Sequence, residues 1–81
     1  MSNKMVYVVT GSEDGLLGVF GNIKAAYGVA KKFCGEDAPV KPYSWVCKQF
    51  RGFVNCSVDV QDYMGMYATA YIQNCYFNEE V

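Results

Sequence analysis

Between Asn22 and Gly35 the chain has little choice of conformation. Ile23, Ala26, Tyr27, Ala30, Phe33 and Cys34 fall at i, i+3, i+4, i+7, i+10 and i+11, one apolar stripe at helical period, with Lys24, Lys31 and Lys32 off it. Asn22 stands where an N-cap belongs, Lys31 and Lys32 suit the negative end of the helix dipole, and Gly35 is a natural terminator. Gly28 in mid-helix costs about 1 kcal/mol relative to Ala, which close packing on a sheet would explain. A single amphipathic helix must bury its stripe against something, and the remaining sequence reads as strands.

Residues 4–10 are β-branched and aromatic, residues 11–15 carry turn chemistry with two glycines, and residues 16–20 are apolar again, so a β-hairpin is expected before the helix. Residues 36–42 hold both prolines and read as a connector. Residues 43–50 and 53–61 suggest a second hairpin around Arg51-Gly52. Its register sets Tyr43 opposite Val60, Trp45 opposite Val58, Cys47 opposite Cys56 and Gln49 opposite Val54 on an apolar face. Ser44, Val46 and Lys48 then meet Asp59, Ser57 and Asn55 on the other, and a one-residue slip would undo the sorting. Arg51 replaces the Asn or Asp usual in such a turn, which leaves a longer loop open. Residues 62–65 read as a turn and 66–77 as a last strand, where Tyr67, Thr69 and Tyr71 share one face while Ile72, Cys75 and Phe77 imply a phase shift such as a bulge. The expected order is β-β-α-β-β-β: an α+β single domain over residues 1–81, mainly antiparallel, with one amphipathic helix on one face.

Composition removes several function classes. Seven Lys and Arg against eight Asp and Glu give net −1, without the basic excess of an electrostatic nucleic-acid binder. No histidine is present, which removes Ser-His and Cys-His nucleophile pairs and every mixed Cys/His zinc site. The segment 8–18 resembles the T-G-x-x-x-G-x-G cofactor loop of short-chain dehydrogenases, but Leu17 occupies the last glycine's place and a strand follows where a helix N-terminus must receive the pyrophosphate. A hairpin turn is the better reading, and neither a catalytic residue nor a cofactor is expected. Cys34, Cys47, Cys56 and Cys75 form no C-x-x-C, so reduced thiols are expected rather than a metal site or disulfide, although Cys47 and Cys56 face each other in the expected hairpin. The first residues lack the apolar core of a signal peptide and no apolar run reaches membrane-span length, so a cytoplasmic protein without a membrane partner is expected. The carboxylates come as adjacent pairs in loops and at the terminus, where solvation is the ordinary state.

Thirteen aromatic residues, seven Tyr, five Phe and one Trp, exceed what a core of this size encloses. Tyr63, Met64, Met66 and Tyr67 gather at the expected last turn, while Phe50 and Phe53, with Arg51 between them, sit on the otherwise polar face of the expected second hairpin. Tyr, Met, Phe and Arg are enriched where proteins meet, so these seven are the candidate partner-binding residues; local packing, with Phe50 and Phe53 capping a second small cluster and Tyr63 packed beside its own turn, stays equally open. The alternative is a small nucleic-acid- or nucleotide-binding module using Lys48, Arg51 and the aromatics.

The opening Val6-Tyr7-Val8-Val9-Thr10-Gly11, then Gly18-Val19-Phe20 and a helix with Ala26 and Ala30, and the closing stretch from Ile72 to Glu79, resemble motifs of small, uncharacterised phage early or accessory proteins. The resemblance covers the first thirty residues and the last ten, and departs in the middle, around Trp45 and the two central cysteines. It implies a viral origin and an accessory protein that binds and modulates a host protein, in host takeover or counter-defence, and it transfers no site residues. A homodimer stays open at this point.

Overall fold

The computed structural model describes residues 3–35, 37–62 and 68–78. Strands β1 (Asn3–Gly11) and β2 (Gly15–Phe20) form the expected first hairpin, closed by Gly15 at φ 74°. Helix α1 (Ile23–Cys34) follows, then helix α2 (Tyr43–Phe50), a short strand β3 (Ser57–Asp59) and a long strand β4 (Ala70–Asn78). The sheet is antiparallel throughout, in the order β2-β1-β4-β3, so the last strand lies beside the first in the middle. The α+β class therefore holds, with one strand fewer and one helix more among the described residues than expected.

The caps of α1 are those the sequence specifies. Asn22 Oδ1 accepts from the Ala25 amide at 2.8 Å, and the Gly35 amide donates to the carbonyls of Lys31 and Lys32 from φ 113°, a conformation that favours glycine. Ala26, Ala30 and Cys34 are buried on its inner face. Gly28 does not pack on the sheet: it is exposed, and a Cβ there would meet nothing within 4 Å. Close approach occurs instead at Gly11, where a Cβ would lie 2.6 Å from the Phe33 ring.

The expected second hairpin is replaced. Tyr43–Phe50 is helical because Tyr43, Val46, Cys47 and Phe50 also stand at i, i+3, i+4 and i+7; Val46 and Phe50 are buried while Trp45, central to the strand reading, points outward. Asn55 adopts φ 60°, which interrupts an extended run, so strand pairing starts only at Ser57. Cys47 and Cys56 are consequently no cross-strand pair, and all four cysteines are free. Val58 pairs with Ile72 of β4, and the true hairpin is β3–β4.

The phase shift expected in the last strand is also absent. β4 runs in unbroken register along β1 from Ala70↔Gly11 to Asn78↔Asn3. The irregularity lies in the first hairpin, where Val9 faces Gly18 but Thr10 faces Leu16, leaving Leu17 as the extra residue of a bulge.

Val9, Val58, Ala70 and Ile72 project from one face of the sheet into a core completed by Ala26, Ala30, Cys34, Val46, Phe50 and Val60. Phe50 meets Tyr7 edge-on at 5.6 Å, which places α2 on the same face as α1. Beside the buried Gln61, the interior holds Asn74, on that face opposite Tyr7: its Oδ1 accepts from the Cys56 amide at 2.8 Å and its Nδ2 donates to the Phe53 carbonyl at 2.6 Å. It thereby pins the loop between α2 and β3. Among the described residues no helix is long and apolar enough to cross a membrane.

Candidate functional site

Strand alternation has a consequence on the side of the sheet away from the helices. Because Tyr7, Val9 and Gly11 turn inward, Val6, Val8 and Thr10 turn outward, and their partners on β4 are Cys75, Gln73 and Tyr71. Val19 pairs with Val8 and Leu16 with Thr10, so both join this outer face; the bulge at Leu17 makes that possible for residues an odd number apart. Phe77 beside Lys4, and Ser57 and Asp59 beside Gln73 and Tyr71, complete it.

Among the described residues this face is largely apolar and nothing packs over it. Leu16 is 64% exposed, Val19 55% and Phe77 54%. Tyr71 is exposed too, and Val6, Val8 and Cys75 are half-buried by their neighbours. Among the described residues its charges are Lys4 and Asp59, which stand toward opposite ends, and the Asp59 carboxylate accepts from the Gln61 amide at 3.0 Å. The shortest dimension of the molecule, 17 Å, accommodates a sheet and one helix layer about 10 Å apart but no third layer. An antiparallel sheet with one solvated face ordinarily alternates apolar-in and polar-out. Here Val6, Val8, Leu16, Val19, Tyr71 and Phe77 stand on the outer face, with Thr10, Ser57 and Gln73 among them, while the inner face carries Asn74.

The sequence-predicted residues are distributed otherwise. Phe50 is 6% exposed and belongs to the core, so it is no contact residue on a polar hairpin face. Arg51 is exposed at the C-cap of α2, and Phe53 is 63% exposed in the following loop, whose carbonyl is held from the helix-bearing side by Asn74. Tyr63, Met64, Met66 and Tyr67 lie outside the described residues. The outer face was reachable from sequence only with the right faces assigned: Tyr71, Gln73, Cys75 and Phe77 alternate perfectly, but so do Ala70, Ile72 and Asn74.

A second aromatic group lies on the helix side. The Tyr27 hydroxyl donates to the Lys41 carbonyl at 2.7 Å, and its ring meets Tyr43 edge-on at 5.4 Å. Lys41 Nζ stands 4.7 Å from the centre of the Trp45 ring and donates to the Asp59 carbonyl at 3.1 Å. These contacts fasten the proline-containing connector to both helices and to β3, which is a structural task. Burial raises the phenols of Tyr7 and Tyr27 and the thiol of Cys34 above their ordinary values, while a side-chain hydrogen bond with Cys47 is the main cause of the upward shift at Tyr43. Each shift holds an acid in its neutral form, and none creates a nucleophile at neutral pH. Among the described residues no three Cys, Asp or Glu side chains gather as a metal site would require. Lys48 and Arg51, the cations of the nucleic-acid alternative, belong to α2 and its C-cap rather than the outer face. Comparison with family models, with curated proteins and with solved structures returned no match.

Proposed function

We propose that this chain is a non-enzymatic accessory protein, of the phage type that its terminal motifs resemble, which binds and modulates a host protein through the outer face of its sheet. The uncovered apolar face carries the reading: contiguous apolar surface rimmed by polar residues marks protein contact sites. Its near absence of charge favours a protein over a nucleic acid, whose backbone demands cations. Tyr71 and Phe77 are the aromatic anchors, set among β-branched residues on the two central strands. The histidine-free sequence, with Glu13, Asp14, Asp37 and Asp62 exposed in turns and connectors, supports binding rather than catalysis.

The test is affinity capture from host lysate with three baits: the wild-type chain, a Val8→Lys/Tyr71→Lys variant on the outer face, and a Trp45→Ala variant on the helix side. The expected result is a partner retained by the wild-type chain and by Trp45→Ala but lost with the outer-face variant. Retention by all three baits, or loss with Trp45→Ala alone, would move the site off this face.

A further inference from the structure

The two edges of the sheet are treated differently. Directly after β3, the connector closes the edge along residues 60–62: the Lys41 amide donates to the Val60 carbonyl at 2.9 Å, the Asp62 amide to the Pro39 carbonyl at 3.0 Å, and Val40 bridges Gln61, while Lys41 Nζ donates to the Asp59 carbonyl of β3 at 3.1 Å. Outside β2 no described residue does so. Its outward backbone groups have no hydrogen-bond partner among the described residues, and its six residues include no charge and no proline. Proteins that must keep an edge single place Lys or Pro on it, shorten it or twist it with a bulge, and of these devices β2 has the bulge at Leu17 alone.

We infer that β2 pairs antiparallel with β2 of a second copy, about a two-fold axis normal to the sheet, giving one continuous eight-stranded sheet. The occupant is a second copy because the strand is self-complementary. When Leu17 of one copy lies opposite Gly18 of the other, Leu16 lies opposite Val19 and Val19 opposite Leu16, the reciprocal pairing an isologous interface requires. Cross-strand partners must share a face. Leu16 and Val19 share one because of the bulge, although an uninterrupted strand would send them to opposite sides.

A further feature agrees. Continued outward, the same register brings the exposed Glu13-Asp14 turn of one copy alongside Gly21-Asn22 of the other, at the start of an α1 whose first turn holds no acidic residue and contains Lys24. The pairing itself does not depend on the host-protein reading, because the outer face stays open in the dimer.

Sedimentation velocity over a concentration series of the full chain should show a shift from monomer to dimer, absent in a Leu16→Lys/Val19→Lys variant. Both side chains are more than half exposed, so that variant should keep the wild-type circular dichroism. The register is tested separately by oxidising Leu16→Cys and Val19→Cys proteins, alone and mixed, against the wild-type chain as background for its own thiols. The mixture should give disulfide-linked dimer at several-fold the yield of either variant alone, and this arm decides the matter if the lysine variant unfolds. A monomer at every concentration, a dimer that survives the lysines, or equal cross-linking in all three samples would overturn the inference.

Discussion

Replacing Asn74 by Ala should loosen one loop and cost a large share of the total stability. The side chain is 1% exposed and meets two backbone groups of the segment between α2 and β3, the Cys56 amide at 2.8 Å and the Phe53 carbonyl at 2.6 Å. Removing it leaves the half-buried Cys56 amide without a partner, at roughly 1–3 kcal/mol, whereas the Phe53 carbonyl belongs to an exposed residue and forfeits only a net hydrogen bond of about 1 kcal/mol. The sum is about 3 kcal/mol, against the roughly 5–15 kcal/mol that holds a domain of this kind folded. In a domain this small it corresponds to a fall of about 12–24 °C in Tm. Urea unfolding followed by Trp45 fluorescence measures it, and native-state exchange should show the amides of Asn55 and Cys56 opening first, since both donate to Asn74. A loss below about 0.5 kcal/mol, the floor for one net hydrogen bond, would refute the assignment of Asn74 as the pin of this loop.

Three further outcomes follow from the same packing. Gly28→Ala should stabilise the chain by about 0.5–1 kcal/mol, because the position is helical and exposed and the added Cβ meets nothing; chemical unfolding of the pair decides it. Gly11→Ala should destabilise by about 1–3 kcal/mol, since the new methyl would overlap the Phe33 ring, which must shift within the α1 interface; the same assay reads the opposite sign. Stability should be flat near neutral pH and fall on the alkaline side. Tyr7, Tyr27 and Cys34 have folded pKa values raised above the ordinary 10.0, 10.0 and 9.0, so their contribution is complete below those values and is lost as pH rises through the folded ones. Thermal melts from pH 7 upward should therefore show Tm declining from about pH 9, and a Tm that rises there would contradict the burial of these groups.

The first half of the fold was legible because each local signal there agrees with the tertiary outcome. Asn22, the stripe from Ile23 to Cys34 and Gly35 specify a helix at every level, and the strands around Gly11–Gly15 have no rival period. Residues 43–50 satisfy two periods at once, with Tyr43, Trp45 and Cys47 alternating while Tyr43, Val46, Cys47 and Phe50 recur at helical spacing. Periodicity alone cannot arbitrate so short a run. The preceding Pro42 at the N-cap and Asn55 in the left-handed region favour the helix, and the burial of Val46 and Phe50 decides it. In β4 the difficulty was a buried polar residue and an outer face lined with apolar ones: Asn74 points inward, Tyr71 and Phe77 outward, so the hydrophobic pattern misreports the phase. The surplus of aromatics leaves Tyr71 and Phe77 exposed on one sheet face. Locating it required the strand order, because β1 and β4 are joined only through the topology of the whole chain.

The proposed site rests on the outer face of the sheet being open to solvent in the free protein and closed by the partner. Solvent paramagnetic relaxation with a soluble nitroxide, read at the valine methyls, tests both halves at once. In the free chain the methyls of Val6, Val8 and Val19 should broaden strongly while those of Val9, Val46 and Val60, all fully buried or nearly so, stay sharp. On addition of the captured host protein the first set should become protected and the exposed methyls of Val54, beyond α2, should not. Shielding of Val6 and Val8 already in the free protein, or protection on binding that appears at Val54 and spares the outer face, would contradict the account.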